Sequence, residues 1–167
     1  LQLMFHLTDI ALRTYFKRRQ KSIEHVLSQP SIYQRLLLKR IIKDNKNTDF
    51  GKDHVFKNID SYDAFKKTIP LRKYNELEQD ILLMIDGKSN VLTRDKVDWF
   101  AKSSGTSTGK SKFIPVSKES LIDCHYKGGK DLLSIYHNNH PESKLILGKV
   151  LVVGGSSAIN SFSNKSY

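Results

Sequence analysis

Apolar residues recur with helical spacing through the first half of the chain. Over residues 3–28 one face collects Leu3, Leu7, Ile10 and Ala11, and Pro30 then ends the pattern. A second helix is predicted over about 31–44, with Tyr33, Leu36, Leu37 and Ile41 at i, i+3, i+4 and i+8. Residues 45–52 read as a polar loop. Asp60 is the expected N-cap of a short helix over 61–67, which must stop before Pro70. Leu77, Ile81, Met84 and Ile85 mark a third amphipathic helix, and Asp86-Gly87 supplies its stop.

The second half changes period. After a turn at 88–90, residues 97–101 read as a strand carrying Trp99 and Phe100, and 112–116 as another. Ser117 is the expected N-cap of a helix running to about Tyr136, which Gly128-Gly129 weakens by roughly 1 kcal/mol per glycine. The run Val150-Leu151-Val152-Val153 before Gly154-Gly155 reads as a buried strand, followed by a polar Ser/Asn tail. The order is an α/β pattern: a helical N-terminal layer, then strand, loop, strand, helix, strand. Residues 1–96 are expected to be mainly helical and 97–167 α/β. A parallel strand buried on both faces needs neighbours, so the expectation is an incomplete N-terminal portion of a single larger domain.

Composition narrows the class. With 38% hydrophobic residues, 8 Phe and 7 Tyr, a packed core is expected. No apolar run approaches the roughly 20 residues that span a bilayer, so no membrane role is expected. The single Cys124 excludes an intramolecular disulfide and fits a cytoplasmic location. The net charge of +11 is uneven: about +7 over residues 1–48, −1 over 49–98 and +5 over 99–167. Two positive regions attract anions, which include nucleotides, nucleic acid and acidic lipid. The basic cluster Lys17-Arg18-Arg19-Gln20-Lys21 and the basic side of the second helix are read as solvated faces. A basic nucleic-acid-binding module is the rival of a different class. It gains from residues 1–48, but the chain shows no nucleic-acid motif and no stacking platform of interleaved aromatic and basic residues.

The chemistry concentrates in Ser103-Ser104-Gly105-Thr106-Ser107-Thr108-Gly109-Lys110-Ser111-Lys112. Glycines let the backbone turn tightly and approach a ligand. Successive amide N–H groups in such a turn form an anion-binding concavity, hydroxyls add donors, and lysines add charge. Phosphate is the ligand that needs all three. The alternative is a flexible Ser/Gly surface loop, although linkers rarely sit between two apolar strands with lysines interleaved. Gly109-Lys110-Ser111 resembles the end of a Walker A motif. The first glycine of that motif would fall at Ser104, however, and its lysine would open a helix, whereas Phe113-Ile114-Pro115 comes next here. A P-loop-type NTPase is therefore the secondary reading.

The run resembles the Ser/Thr/Gly-rich loop of the adenylate-forming superfamily, roughly [ST]-[SG]-G-[ST]-[ST]-x-G-x-x-K. Ser103, Ser104, Gly105, Thr106, Ser107, Gly109 and Lys112 all match in spacing, and Ser111 stands where many members carry proline. The flanks Trp99-Phe100-Ala101-Lys102 and Lys112-Phe113-Ile114-Pro115-Val116-Ser117 resemble the Gretchen Hagen family of acyl-acid amido synthetases. So do Asn47-Thr48-Asp49-Phe50-Gly51-Lys52, the segment from Phe65 to Pro70 with Tyr74, and Ile85-Asp86-Gly87-Lys88 through Asn90-Val91-Leu92, in that order along the chain. The resemblance covers most of residues 30–120.

It implies ATP-dependent activation of a carboxylic acid as an acyl-adenylate, then transfer to an amine or amino acid. It further implies that Ser103, Ser104, Thr106 and Ser107 hold phosphate oxygens, and that Gly105 and Gly109 permit the turn. Lys112 is the implied catalytic residue, offsetting charge on the pyrophosphate, with Lys110 as a second cation. Mg²⁺ is expected as the nucleotide's counter-ion. Residues for adenine, ribose and the acyl acid are expected beyond residue 167, so this chain alone is expected to be inactive.

Three other features are not promoted. His137 and His140 lack the carboxylate or thiolate that would complete a metal set, and Pro141 suggests a surface loop there. Cys124 and His125, adjacent on a helix, point about 100° apart, and Cys124 is expected to be buried. Gly154-Gly155-Ser156-Ser157 reads as a turn after a strand, a place where α/β sheets gather ligands.

Overall fold

The computed structural model describes residues 2–103, 111–143, 151, 161–162 and 165–166; for residues 2–8 and the four near the C-terminus it describes the backbone alone. The chain divides into two compact units, residues 31–121 and residues 1–30 with 122–167.

In the unit of residues 31–121, helices come first: α2 (Pro30–Asn45), α3 (Asp49–Asp53), a 3-10 turn (Phe56–Asn58), α4 (Tyr62–Thr68) and α5 (Tyr74–Ile85). Proline opens α2, where its missing N–H costs nothing. Its buried side is Ile42 with Leu38, which join Phe56, Ile59, Phe50, Phe65 and Ile69 in one core. This corrects the expected face, because Leu36, Leu37 and Ile41 are exposed. Two apolar stripes run along this helix, and the tertiary fold of this unit covers the one that meets α3 and α4.

The polar loop expected over 45–52 is instead interrupted by α3. Thr48 caps it: its hydroxyl accepts from Gly51 N–H at 2.9 Å and donates to the Asn45 carbonyl at 2.8 Å. For α4 the cap is Ser61 rather than Asp60, its Oγ accepting from Ala64 N–H at 3.2 Å. Helix α5 forms as the periodicity requires, with Ile81, Met84 and Ile85 buried, Asp86 as C-cap and Gly87 at φ 91°. Met84, Val91 and Val97 make a second core on which Leu92 and Phe100 pack.

Strands β1 (Trp99–Lys102) and β2 (Phe113–Val116) pair antiparallel, Trp99 opposite Val116 and Lys102 opposite Phe113. Pro115 is tolerated because, among the described residues, the ribbon has two strands and so consists of edges only.

In the other unit, α1 (Gln2–Ser28) packs against α7 (Lys127–Asn139). Of the expected apolar face of α1, the side chains of Leu3 and Leu7 lie outside the described residues, and Ile10 and Ala11 are exposed, while Phe16 is buried against the His137 ring, 5.2 Å between centroids. His137 therefore lies in a helix–helix interface rather than in a surface loop. Arg19 leaves the basic cluster to grip Asp131 with two hydrogen bonds, one of them 2.9 Å from Nη2 to Oδ2. Lys17, Arg18 and Lys21 are exposed.

The helix expected after Ser117 is three consecutive segments: α6 (Lys118–Ser120), capped by Ser117, a π-helical turn (Leu121–Tyr126) and α7. Cys124 lies in the π turn and is exposed, correcting the expectation of burial. The predicted strand around 150–155 lies outside the described residues except for Leu151, which is exposed and in neither helix nor strand. The turn predicted at 154–157 lies wholly outside them. The segments β3 (Ser161–Phe162) and β4 (Lys165–Ser166) pair antiparallel where a polar tail was expected. The described fold is thus mostly helical with short antiparallel ribbons, and among the described residues no helix is long and apolar enough to cross a membrane.

Candidate functional site

The hairpin delivers the ends of the Ser/Thr/Gly run to one place. The ladder of β1 and β2 continues one rung beyond Lys102 and Phe113: Ser103 N–H donates to the Lys112 carbonyl at 2.9 Å. The reciprocal bond is different in kind. Lys112 N–H donates to Ser103 Oγ, also at 2.9 Å. Ser103 therefore uses its side chain where a regular ladder would use its carbonyl, and the two ends of the run are held together by a double hydrogen bond.

Of the predicted site residues, the structure describes Ser103 and Lys112 and holds them together. Ser104, Gly105, Thr106, Ser107, Gly109 and Lys110 lie outside the described residues. Directly after Lys112 the chain enters strand β2, as the sequence predicts, and not the helix that a Walker A lysine opens.

Helix α5 is the platform of the hairpin. Near its C-terminal end Met84 belongs to the core on which Phe100 of β1 packs. At its N-terminus Tyr74 reaches β2: its hydroxyl accepts from Phe113 N–H at 3.1 Å. The same ring lies 5.5 Å from Lys112 Nζ, within cation–π range. Tyr74 is held in turn by the first turn of α5, where Lys73 N–H donates to Glu76 Oε2 at 2.6 Å. The sequence places Tyr74 only in the family's residue order and gives it no role. A signal was present, because a tyrosine opening an amphipathic helix carries a polar tip that must find a partner.

A second contact network braces the segment before the site. Asp49 N–H donates to the Asn90 carbonyl at 2.7 Å and Phe50 N–H to the Val91 carbonyl at 3.1 Å. Lys88 Nζ lies 2.8 Å from Asp49 Oδ2, and its hydrogen bond and charge hold that carboxyl below the usual carboxylate range. Asn90 has φ 58°, a left-handed conformation that asparagine tolerates better than most residues, and Arg94 N–H donates to Asn45 Oδ1 at 2.9 Å. Among the described residues, no group of three or more His, Cys, Asp or Glu side chains is gathered closely enough to hold a metal ion.

In chain order, the β1–β2 hairpin brackets the run rich in hydroxyl and glycine residues, with Ser103 and Lys112 at its ends. The pattern that defines the GH3 family N-terminal domain matches residues 19–164. The chain belongs to the GH3 (Gretchen Hagen) family. Among its relatives it is similar to indole-3-acetic acid-amido synthetase GH3.6 of Arabidopsis thaliana, 30% identical over 68% of this chain and 19% of the relative. Indole-3-acetic acid-amido synthetase GH3.5 of the same plant is 29% identical over the same shares. Jasmonoyl–L-amino acid synthetase GH3.5 of Oryza sativa subsp. japonica is 32% identical over 53% of this chain and 15% of the relative. The chain spans about a fifth of the length of the curated relatives it matches.

Proposed function

We propose that the protein carrying this chain activates a carboxylic acid with ATP as an acyl-adenylate and passes the acyl group to an amine or amino acid. Membership of a family whose relatives are amido synthetases supports the reaction class. The observation that supports the site is the double hydrogen bond between Ser103 and Lys112, which holds the two ends of the Ser/Thr/Gly run together.

The chain's own residues fit nucleotide phosphates by their donor set. Lys112, half-buried, is anchored at both its backbone and its ammonium. In this reading it offsets the charge that develops on pyrophosphate as the carboxylate oxygen attacks the α-phosphorus. Adenylation is needed because a carboxylate is a poor electrophile, and phosphoryl chemistry of this kind depends on positioning and charge neutralisation. Ser103, Ser104, Thr106 and Ser107 supply hydroxyl and amide donors, Gly105 and Gly109 allow close approach, and Lys110 adds a second cation. Mg²⁺ enters as the nucleotide's counter-ion. Residues 1–167 form the N-terminal part of a larger adenylation domain, and the acid and acceptor pockets lie elsewhere in that domain. The location is cytoplasmic, where ATP is available.

The test is carboxylate-dependent ATP–pyrophosphate exchange by the full-length protein with a pool of acids, beside Lys112→Ala. Acid-dependent exchange that falls by an order of magnitude or more in the variant is the expected result. A folded protein that binds ATP but exchanges with no acid would overturn it and restore the NTPase reading.

A further inference from the structure

We propose that Tyr74 is a positioning residue for Lys112, a role that rests on the phosphate-site reading above. Two independent contacts converge on one side chain. Through its hydroxyl, Tyr74 accepts from Phe113 N–H at 3.1 Å, fixing the backbone immediately after Lys112. Through its ring, it faces the Lys112 ammonium at 5.5 Å. Both contacts, together with the Ser103 bonds, lie within the unit of residues 31–121.

The combination has a mechanical consequence. Lysine is a compact charge on a flexible stem, and an unrestrained stem samples many rotamers. The Ser103 hydroxyl fixes where the stem begins, and the Tyr74 ring fixes where it ends. The face of an aromatic ring attracts a cation without neutralising it. The ammonium therefore keeps its full charge for an anion while being held near one position. A carboxylate partner would orient it too, but would compete with phosphate for it. Tyr74 is itself immobilised by the capped first turn of α5, and α5 by the buried Met84. The ammonium is thus referenced to a core rather than to the loop it serves.

The closing experiment is a double-mutant cycle in the full-length protein: wild type, Tyr74→Phe, Tyr74→Leu, Lys112→Ala, and Tyr74→Leu with Lys112→Ala. It reads the KM for Mg·ATP in acid-dependent exchange, and separately the affinity for inorganic pyrophosphate by calorimetry. Tyr74→Leu is expected to weaken both by about tenfold, and Tyr74→Phe, which keeps the ring, by less. In the Lys112→Ala background, Tyr74→Leu is expected to change little, because its effect runs through the ammonium. Equal loss in both backgrounds, or no loss in Tyr74→Leu, overturns the inference. Should Tyr74→Leu fail to fold, loss of hydrogen-exchange protection at the Phe113 amide in Tyr74→Phe keeps the hydroxyl contact testable, and unchanged protection overturns it. If the wild type shows no acid-dependent exchange, the proposed reaction falls; the pyrophosphate cycle then decides the Tyr74–Lys112 coupling by itself.

Discussion

Ser103 and Lys112 bind each other twice, once backbone to backbone and once through the Ser103 hydroxyl, each at 2.9 Å. The side-chain bond is the informative one. A regular rung would consume the Ser103 carbonyl, and the serine leaves that carbonyl out of the exchange. Ser103→Ala removes the acceptor of Lys112 N–H and is expected to cost about 1 kcal/mol at this closure. Hydrogen exchange at the Lys112 amide would read this as lost protection, with Ser103→Thr retaining it. Unchanged exchange in the alanine variant would show the hydroxyl to be dispensable.

Gly51 and Gly129 respond oppositely to a methyl group. A Cβ on Gly51 would stand 2.1 Å from the Asn45 carbonyl oxygen, which belongs to backbone and cannot swing away. Gly51→Ala is therefore expected to lower stability by more than about 2 kcal/mol, by forcing apart α2 and α3. A Cβ on Gly129 meets nothing within 4 Å in the exposed first turn of α7. Gly129→Ala is expected to stabilise by about 0.5–1 kcal/mol. Urea unfolding of the two variants beside the wild type measures both signs.

The fork between Arg19 and Asp131 joins α1 to α7 with partly covered side chains, 21% and 28% exposed. Asp131, by its hydrogen bond first and its charge second, raises the Arg19 pKa. Asp131→Asn loses the charge and one good acceptor, and is expected to cost about 1 kcal/mol, as is Arg19→Lys, which loses the planar fork. A thermal midpoint unchanged in both variants would place the pair among surface contacts without effect.

Asp49 provides the pH test. Its hydrogen bond from Lys88 lowers the carboxyl pKa in the folded state. A depressed folded-state value contributes stability above the unfolded pKa of about 4 and loses it as pH falls through the lower folded value. Lys88→Ala should return the Asp49 titration, followed by carboxyl ¹³C NMR, towards the usual range and flatten the acid limb of the stability curve. Both changes should shrink at high salt, because the pair is exposed. An Asp49 titration unmoved by the substitution would assign the depression to another cause.

Local chemistry made much of this molecule legible. Pro30 as the end of the first helical pattern, Ser117 as an N-cap, Asp86-Gly87 as a stop and the buried set Ile81, Met84 and Ile85 all form as their residues dictate. So do the two strands that flank the Ser/Thr/Gly run. What misled was choice among equals. Asp60 and Ser61 are both good caps, and the backbone places Ser61 within reach of Ala64 N–H. Leu36, Leu37 and Ile41 are as apolar as Leu38 and Ile42, and only the arrival of Phe56 and Ile59 selects between the stripes.

The same division holds for the site. The composition of the Ser/Thr/Gly run, its lysines and its flanking residues are properties of the chain's order, so the family could be inferred before any fold was known. That Lys112 sits over Tyr74 could not, because residues so far apart in the chain meet only after α5 has docked on the second core and carried its first turn to β2. Residue order was enough for most of the elements and for the two strands that flank the Ser/Thr/Gly run; packing alone chose the ring that stands beside Lys112. The reason is physical: periodicity records which face of an element is apolar, and holds no information about which other element will arrive there.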